Sequence, residues 1–271
     1  MPIDKKLSYT FKDTDSKVSY DWAMAVSALV PKIDYVFTSE VYGIKFSKYL
    51  GASHVLVDLL RTQLKMSGTE IRNNLIGNWD NLTKLSQQYY TRAVVLFGTE
   101  STGKTSLFEK LKKIYPDFGF VGEYGREVVK SPDDINAATL TKILTNHAHE
   151  YEKILRSDKV PPVTILDTDW ITTMGYAKML GHAIETPKWI QNQNKNNKYY
   201  IYMPKNIPLE NDGTRMGERG REKLDKVHSK LHTELAGIHK IFSFERDGGA
   251  KQFDSFLKFT PFKRSIVKTH T

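Results

Sequence analysis

The 271-residue chain contains no cysteine. Disulfide frameworks and thiolate metal sites are therefore excluded. No apolar run approaches the roughly 18 residues that a membrane-spanning helix requires. The opening Met1-Pro2-Ile3-Asp4-Lys5-Lys6 lacks the apolar core of a secretory signal. Together these absences predict a cytoplasmic protein with no membrane partner. No internal repeat is visible. Low complexity is confined to residues 191–198, rich in Asn, Gln and Lys, which read as a polar loop.

What is present can build a core: 39% of residues are hydrophobic and 11% aromatic, which argues against global disorder. Lys and Arg outnumber Asp and Glu by 40 to 31, a formal net charge of +9. Such a balance suits anionic ligands, nucleotides or nucleic acid, and the scattered lysines fit a solvated surface equally well. A single-stranded nucleic-acid groove would interleave aromatic and basic residues. No such stripe is evident, so nucleic acid is not the expected partner.

One stretch organises the rest. Ala93-Val94-Val95-Leu96-Phe97 reads as a buried strand. It is followed by Gly98-Thr99-Glu100-Ser101-Thr102-Gly103-Lys104-Thr105, with Ser106 next, and then by Leu107, Phe108, Leu111 and Ile114 at helical spacing. Strand, G-x-x-x-x-G-K-[ST], helix is the P-loop pattern. The glycines let the backbone fold round an anion, and the loop amides with the helix N-terminus face phosphates. Lys104 neutralises the β and γ phosphates of ATP, and the Thr105 hydroxyl can ligate Mg²⁺.

Upstream the chain alternates helix and strand. Trp22, Ala25, Val26 and Leu29 predict a helix stopped by Pro31. Ile33–Phe37 reads as a strand, Phe46–Leu50 as a short helix ending at Gly51, and His54–Asp58 as another strand. Ser67 or Thr69 can cap the next helix or face a phosphate there, with Arg72 one turn in. A capped surface helix with an exposed arginine accounts for the same residues. Residues 73–92 read as helix ends and a connector, which puts the domain boundary near residue 90: a segment 1–90 and a domain 91–271.

Downstream, Phe118–Val121 is the next strand. Glu123 and Arg126 follow it at the strand end where open α/β sheets bind ligands, although a surface ion pair would look the same. Residues 134–157 read as a long helix, whose His147 and His149 do not share a face and so make no metal pair. Val163–Asp167 is a buried strand ending in acid, the Walker-B pattern, followed by Thr168 and Asp169. A helix then runs to Gly181. Lys198–Met203 is a strand, and Asn211-Asp212-Gly213 a turn. Arg215, Arg219 and Arg221 precede an amphipathic helix, an arrangement that suits a mobile arginine-bearing segment over phosphates. Lys240–Phe244 and residues 251–259 complete the pattern as strand and helix. The fold class is α/β, a P-loop kinase-type parallel sheet with flanking helices, preceded by a partial Rossmann-like nucleotidyltransferase segment.

Several motifs in order resemble the bifunctional NadR family: Glu123-Tyr124-Gly125-Arg126-Glu127, Leu166-Asp167-Thr168-Asp169-Trp170-Ile171-Thr172-Thr173 and Asp212-Gly213-Thr214-Arg215 around the P-loop. These are similar to the ribosylnicotinamide kinase domain. Phe37-Thr38-Ser39-Glu40, Lys48-Tyr49-Leu50-Gly51 and Val57-Asp58 through Ser67-Gly68-Thr69-Glu70-Ile71-Arg72 look like the second half of the adenylyltransferase that precedes it. The resemblance implies an ATP- and Mg²⁺-dependent kinase making nicotinamide mononucleotide from nicotinamide riboside. It implies ATP on residues 98–106, Mg²⁺ on Thr105 and Asp167, and catalytic roles for Lys104, Glu123, Asp169, Arg126 and Arg215. Glu123 is placed like the carboxylate that takes the hydroxyl proton, and Asp167 or Asp169 could fill that role instead. The family's G-x-F-x-P-x-H-x-G-H segment does not occur here, so adenylyl transfer is expected to be lost or to need a partner chain. The helix-turn-helix of some members is absent too, and no repressor role is expected. Another nucleoside or nucleotide kinase, or a nucleotide-binding interaction protein or ATPase, is the alternative.

Overall fold

The computed structural model describes residues 16–63, 66–194, 197–205, 217–236, 240–244 and 249–259. The chain forms two compact units, Met1–Arg72 and Asn73–Thr271.

The smaller unit contains α1 (Ser16–Ser27), β1 (Tyr35–Thr38), α2 (Tyr42–Leu50), β2 (Ser53–Leu56) and the start of α3 (Gly68–Asn73). β1 and β2 pair in parallel, from Tyr35 opposite Ser53 to Thr38 opposite Leu56. A parallel pair needs a crossover, and α2 supplies it. Gly51 ends α2 in the left-handed region, φ +66°, where a residue without Cβ is unstrained. β1 begins two residues later than the apolar run Ile33–Phe37 predicts, and β2 also ends earlier, at Leu56. Both strand ends are instead set by the pairing of the two short strands.

The larger unit opens with a 3₁₀ turn at Trp79–Asn81 and α4 (Lys84–Tyr90). It continues through β3 (Arg92–Phe97), α5 (Lys104–Ile114), β4 (Gly119–Val121), α6 (Gly125–Val128), α7 (Ala137–Arg156) and β5 (Val163–Asp167). It ends with α8 (Trp170–Leu180), α9 (Lys188–Asn192), β6 (Lys198–Tyr202), α10 (Gly217–Ala236), β7 (Lys240–Ser243) and α11 (Gly249–Phe259). The sheet order is β4-β5-β3-β6-β7, with every pairing parallel. β3 is central, and it is apolar and buried from Ala93 to Phe97, as a strand covered on both faces must be. Val94 and Leu96 face Leu107, Phe108 and Leu111 of α5 together with Phe253 and Phe256 of α11. Ala93, Val95 and Phe97 point the other way, into a cluster with Tyr151, Leu166, Ile171 and Tyr200. The period-2 alternation of a strand thus divides the core into two layers. Among the described residues, no helix is long and apolar enough to cross a membrane.

The topology fixes where a ligand binds. β3 leads by way of α5 to β4 on one side of β5, whereas β5 leads by way of α8 and α9 across to β6 on the far side of β3. The C-terminal ends of the adjacent strands β3 and β5 therefore flank a topological switch point, the crevice in which open α/β sheets take ligands.

The boundary differs from the one read near residue 90. The units divide at 72/73 because residues 73–92 belong to the larger one. Trp79 is buried, its indole N–H donates to the Val160 carbonyl at 2.6 Å, and Gln87 donates to the Trp79 carbonyl at 3.0 Å. A lone tryptophan among polar residues carries no periodicity, so only its tertiary contact reveals the assignment. The polar run 191–198 is likewise not all loop. α9 reaches into it, and the Gln193 amide is buried with the Ala148 carbonyl and the Glu152 carboxylate.

Trp79→Ala should lower the stability of the larger unit by about 3 kcal/mol, the scale for losing a buried aromatic. Leu85→Ala, 78% exposed, should cost under about 0.5 kcal/mol. Urea unfolding of full-length variants measures both, and equal midpoints would return the boundary to residue 90.

Candidate functional site

The loop between β3 and α5 has the conformation its glycines permit. Gly98 lies at φ +145°, and a Cβ there would stand 2.4 Å from the Met203 carbonyl oxygen. Gly103 at φ +88° precedes the first turn of α5. Between them Ser101 takes φ +54°, a strained value for a residue with a side chain. The Thr102 hydroxyl donates to the Thr99 carbonyl at 3.1 Å and holds the loop closed. Lys104 lies back over the loop, its ammonium donating to the carbonyls of Gly98 at 3.0 Å and Thr99 at 2.5 Å. Desolvation holds its pKa below the usual lysine value, against the pull of Glu123, Asp167 and Glu100. Ser106 is exposed at the start of α5.

Across the switch point the end of β5 presents Asp167. The Thr105 hydroxyl donates to its Oδ2 at 3.0 Å. Arg126, just inside α6, donates from Nη2 to the Thr105 hydroxyl oxygen at 3.1 Å and from Nε to Glu123 Oε2 at 2.7 Å. A continuous chain of polar contacts thus joins Glu123, Arg126, Thr105 and Asp167, residues separated by up to 62 positions in sequence.

Asp167 is 2% exposed, and its Oδ1 has no hydrogen-bond partner among the described residues. Burial, then the nearby charge of Glu123, push its pKa up to about 6, with Lys104, the Thr105 hydroxyl and Arg126 opposing. A divalent cation would satisfy the orphaned oxygen and offset the buried charge, so Thr105 and Asp167 fit Mg²⁺. Among the described residues no three His, Cys, Asp or Glu side chains form a ready metal cage. That suits an ion completed by phosphate oxygens and water.

A cavity of about 110 Å³ opens beside this chain of contacts, lined by Glu100, Glu123, Arg126, Thr168, Thr172 and Tyr176, with an aliphatic far wall from Val129 to Ile143. A larger groove, about 930 Å³, follows the outer edge of β4 and also reaches Glu123. The smaller cavity is the candidate acceptor site because it alone of the two touches both the phosphate loop and Arg126.

The remaining sequence-derived candidates are placed differently. Asp169 is a correction. Its Oδ1 accepts from the Ile171 amide at 2.9 Å and caps α8, while Oδ2 accepts from the Tyr200 hydroxyl at 2.8 Å and lies 3.6 Å from the buried Lys198 ammonium. Both oxygens are thus engaged in structure, and the side chain does not line the cavity. Arg215 and the Asp212-Gly213 turn lie outside the described residues. Arg219 is exposed, whereas Arg221 is 1% exposed and donates from Nε to the Glu100 carbonyl at 3.0 Å. Arg221 was the more informative arginine: its spacing of three and seven from Leu224 and His228 puts it on the buried face of α10. Tyr176 was missed because a tyrosine inside a helix carries no motif, and Thr172, although within the Leu166–Thr173 motif, was given no role of its own. In the smaller unit, Ser67 and Glu70 cap one another across the first turn of α3, and Thr69 accepts from Arg72 at 3.2 Å. His147 is buried, and His149 stacks on Trp189 with ring centres 5.2 Å apart.

A family model described as an AAA domain matches residues 93–245, over half of the chain. The chain belongs to the AAA domain family. This AAA domain is NadR-like. The chain is 32% identical over 161 residues to the trifunctional NAD biosynthesis/regulator protein NadR of Escherichia coli, and 30% identical over 161 residues to that of Salmonella typhimurium. Each match takes in 57% of this chain and 38% of the relative, so the chain matches well under half of those proteins. A solved NadR protein in complex with NAD and AMP-PNP covers 94% of this chain and 77% of its own, at TM-score 0.58 and 18% identity. Another, in complex with NR, covers 93% and 76%, at TM-score 0.59 and 20% identity. The shared α/β fold runs through both units of this chain.

Two buried histidines should make the AAA domain acid-sensitive. Burial lowers the pKa of His147 to about 4, with Asp169 partly opposing, and that of His228 to about 3, with Lys104 adding to the effect. Above about pH 6.5, the ordinary histidine value, both are neutral whether folded or unfolded, and they add no pH dependence. As pH falls below that, the unfolded chain takes up protons first and stability drops, by roughly 3 kcal/mol for His147 once pH 4 is reached. Asp167 acts in the opposite sense below pH 6, because its raised pKa makes the folded chain take up that proton first. Two histidines outweigh one aspartate, so the urea midpoint should fall between pH 6.5 and 4. His147→Gln should flatten that slope, and an unchanged slope would contradict the assignment.

Proposed function

We propose that this protein transfers the γ-phosphoryl group of ATP to the 5′-hydroxyl of nicotinamide riboside, giving nicotinamide mononucleotide for NAD synthesis or salvage. The observation that carries the reading is the contact chain Glu123–Arg126–Thr105–Asp167 at the wall of a cavity that adjoins the phosphate loop. A kinase needs just this juxtaposition: a base for the acceptor, a cation for the transferred group and a metal-holding pair. NadR relatives are named for NAD biosynthesis, and one solved NadR protein holds NR. These support the choice of acceptor.

In this reading the loop amides of residues 98–105 hold the phosphates of ATP. Lys104 turns from the Gly98 and Thr99 carbonyls to the β and γ phosphates, where its charge is neutralised by a better partner than a carbonyl dipole. Thr105 and Asp167 would hold Mg²⁺, whose charge when bound offsets that of the phosphate oxygens. Glu123 accepts the proton of the 5′-hydroxyl as the oxygen–phosphorus bond forms, the bond from the γ-phosphorus to the bridging oxygen breaks, and ADP departs. Arg126 is freed from Thr105 to follow the charge on the transferring group. Little covalent chemistry is asked of the protein, because in-line transfer depends on position and charge neutralisation. In this reading adenylyl transfer is lost or needs a partner chain; in α3 Ser67 pairs with Glu70 and Thr69 with Arg72.

Purified protein with Mg-ATP and nicotinamide riboside should form nicotinamide mononucleotide, read by chromatography. Lys104→Ala should abolish turnover in a folded protein. Glu123→Gln should lower kcat by about 10²- to 10⁴-fold, the usual share of a general base, with little change in the KM for ATP. Full activity in Glu123→Gln would move the base to Asp167. A wild-type enzyme that phosphorylates only other nucleosides would overturn the acceptor.

A further inference from the structure

A threonine hydroxyl on a helix commonly bonds to the carbonyl four residues earlier. Thr141 and Thr145 of α7 and Thr233 of α10 do so, at 2.8, 2.8 and 3.1 Å. Thr172 of α8 does not. The carbonyl four residues earlier belongs to Thr168, which precedes the cap residue Asp169 and takes φ +78°, so it lies outside the helix. Thr172 is 6% exposed, and its Oγ1 has no hydrogen-bond partner among the described residues. The same residue lines the cavity of about 110 Å³ beside Glu123 and Arg126. A helical threonine has two χ1 rotamers open to it, and without the backbone bond nothing local holds this hydroxyl away from a ligand.

We propose that Thr172 is a specificity-determining residue that selects a riboside over a deoxyriboside, by a hydrogen bond from its hydroxyl to a ribose hydroxyl of the acceptor. The proposal deepens the kinase reading and rests on it. In that reading the reacting 5′-hydroxyl lies at Glu123 and Arg126. The far wall of the cavity, from Val129 to Ile143, is aliphatic and suits the flat ring of the base. The sugar lies between the two. Thr172 stands in the first turn of α8, four residues after the Thr168 that directly follows Asp167 at the crevice, so it borders the sugar and not the ring. Other polar groups of this wall meet protein partners: Glu123 and Arg126 bond to one another at 2.7 Å, and Tyr176 donates to Glu100 at 3.0 Å. A ribose hydroxyl donates and accepts, as threonine does, so the pair bonds in either sense. An acceptor without that hydroxyl buries Thr172 unpaired, and a site built round such a bond discriminates strongly against the analogue that lacks it.

The decisive comparison is nicotinamide riboside against its 2′-deoxy and 3′-deoxy forms. With saturating Mg-ATP, kcat/KM of the wild-type enzyme should favour the riboside over at least one deoxy form by about tenfold or more, and the form rejected identifies the hydroxyl. Thr172→Val, which keeps the shape and removes the hydroxyl, should bring that ratio to within about threefold of unity, and Thr172→Ser, which retains the hydroxyl, should preserve it. The urea midpoint of Thr172→Val should equal or exceed that of the wild type, because no protein partner of the hydroxyl is lost. A lower midpoint, a wild-type enzyme indifferent to both deoxy forms, or a Thr172→Val enzyme with the wild-type ratio would overturn the proposal. If none of the three acceptors is phosphorylated the kinase reading falls, and the ratios of their calorimetric dissociation constants, in the wild type and in Thr172→Val, still test Thr172.

Discussion

The contact between the Thr105 hydroxyl and Asp167 depends on two strands lying side by side in parallel. β3 and β5 pair from Arg92 opposite Val163 to Leu96 opposite Asp167, so both end at the same level. One strand delivers a glycine-rich loop and the other a carboxylate to a single crevice. Had β4 taken the place of β5 next to β3, the loop would face Gly122 and Glu123 instead. The Thr105–Asp167 contact is thus a consequence of strand order, and strand order is held by two apolar layers, one on each face of β3.

Electrostatic opposition runs through the site. Asp167 is buried with its Oδ1 unpartnered among the described residues, near the negative charge of Glu123, and burial also lowers the pKa of Lys104. Each group costs stability where it stands, and in the proposed kinase each would be relieved by a ligand: phosphate for Lys104, a cation for Asp167. Arg126 connects the two halves by bonding to Glu123 and Thr105 together. Strained backbone gathers at the same place, at Ser101 in the loop and at Thr168 with φ +78° directly after Asp167. Strain and unmet charge concentrated in one crevice are what a site organised for its ligands, and not for its own stability, looks like.

Much of this was legible in the residues. Val163–Asp167 matches β5 residue for residue, because a short β-branched and apolar run ending in acid between prolines and a helix has one sensible reading. The loop, the neighbouring Glu123 and Arg126, and Gly51 and Gly181 as helix ends follow from local chemistry alone. Asp169 shows the limit. Its motif position suggested catalysis, yet a side-chain oxygen one residue before a helix is also the standard N-cap. Lys198 and Tyr200, which complete its environment, are about thirty residues away and become visible only once β6 packs.

Local patterns determined the elements, the phosphate loop and the fold class, because strand alternation, glycine conformation and helix periodicity act over a few residues. The tertiary structure alone decided which polar groups share a crevice. Only strand order joins Thr105 to Asp167, only burial makes Trp79 part of the larger unit, and only the packing of α8 and α10 brings Tyr176 and Arg221 to Glu100. Coulomb and hydrogen-bond energies depend on distance through space and on exclusion of water, and neither is a property of position along the chain.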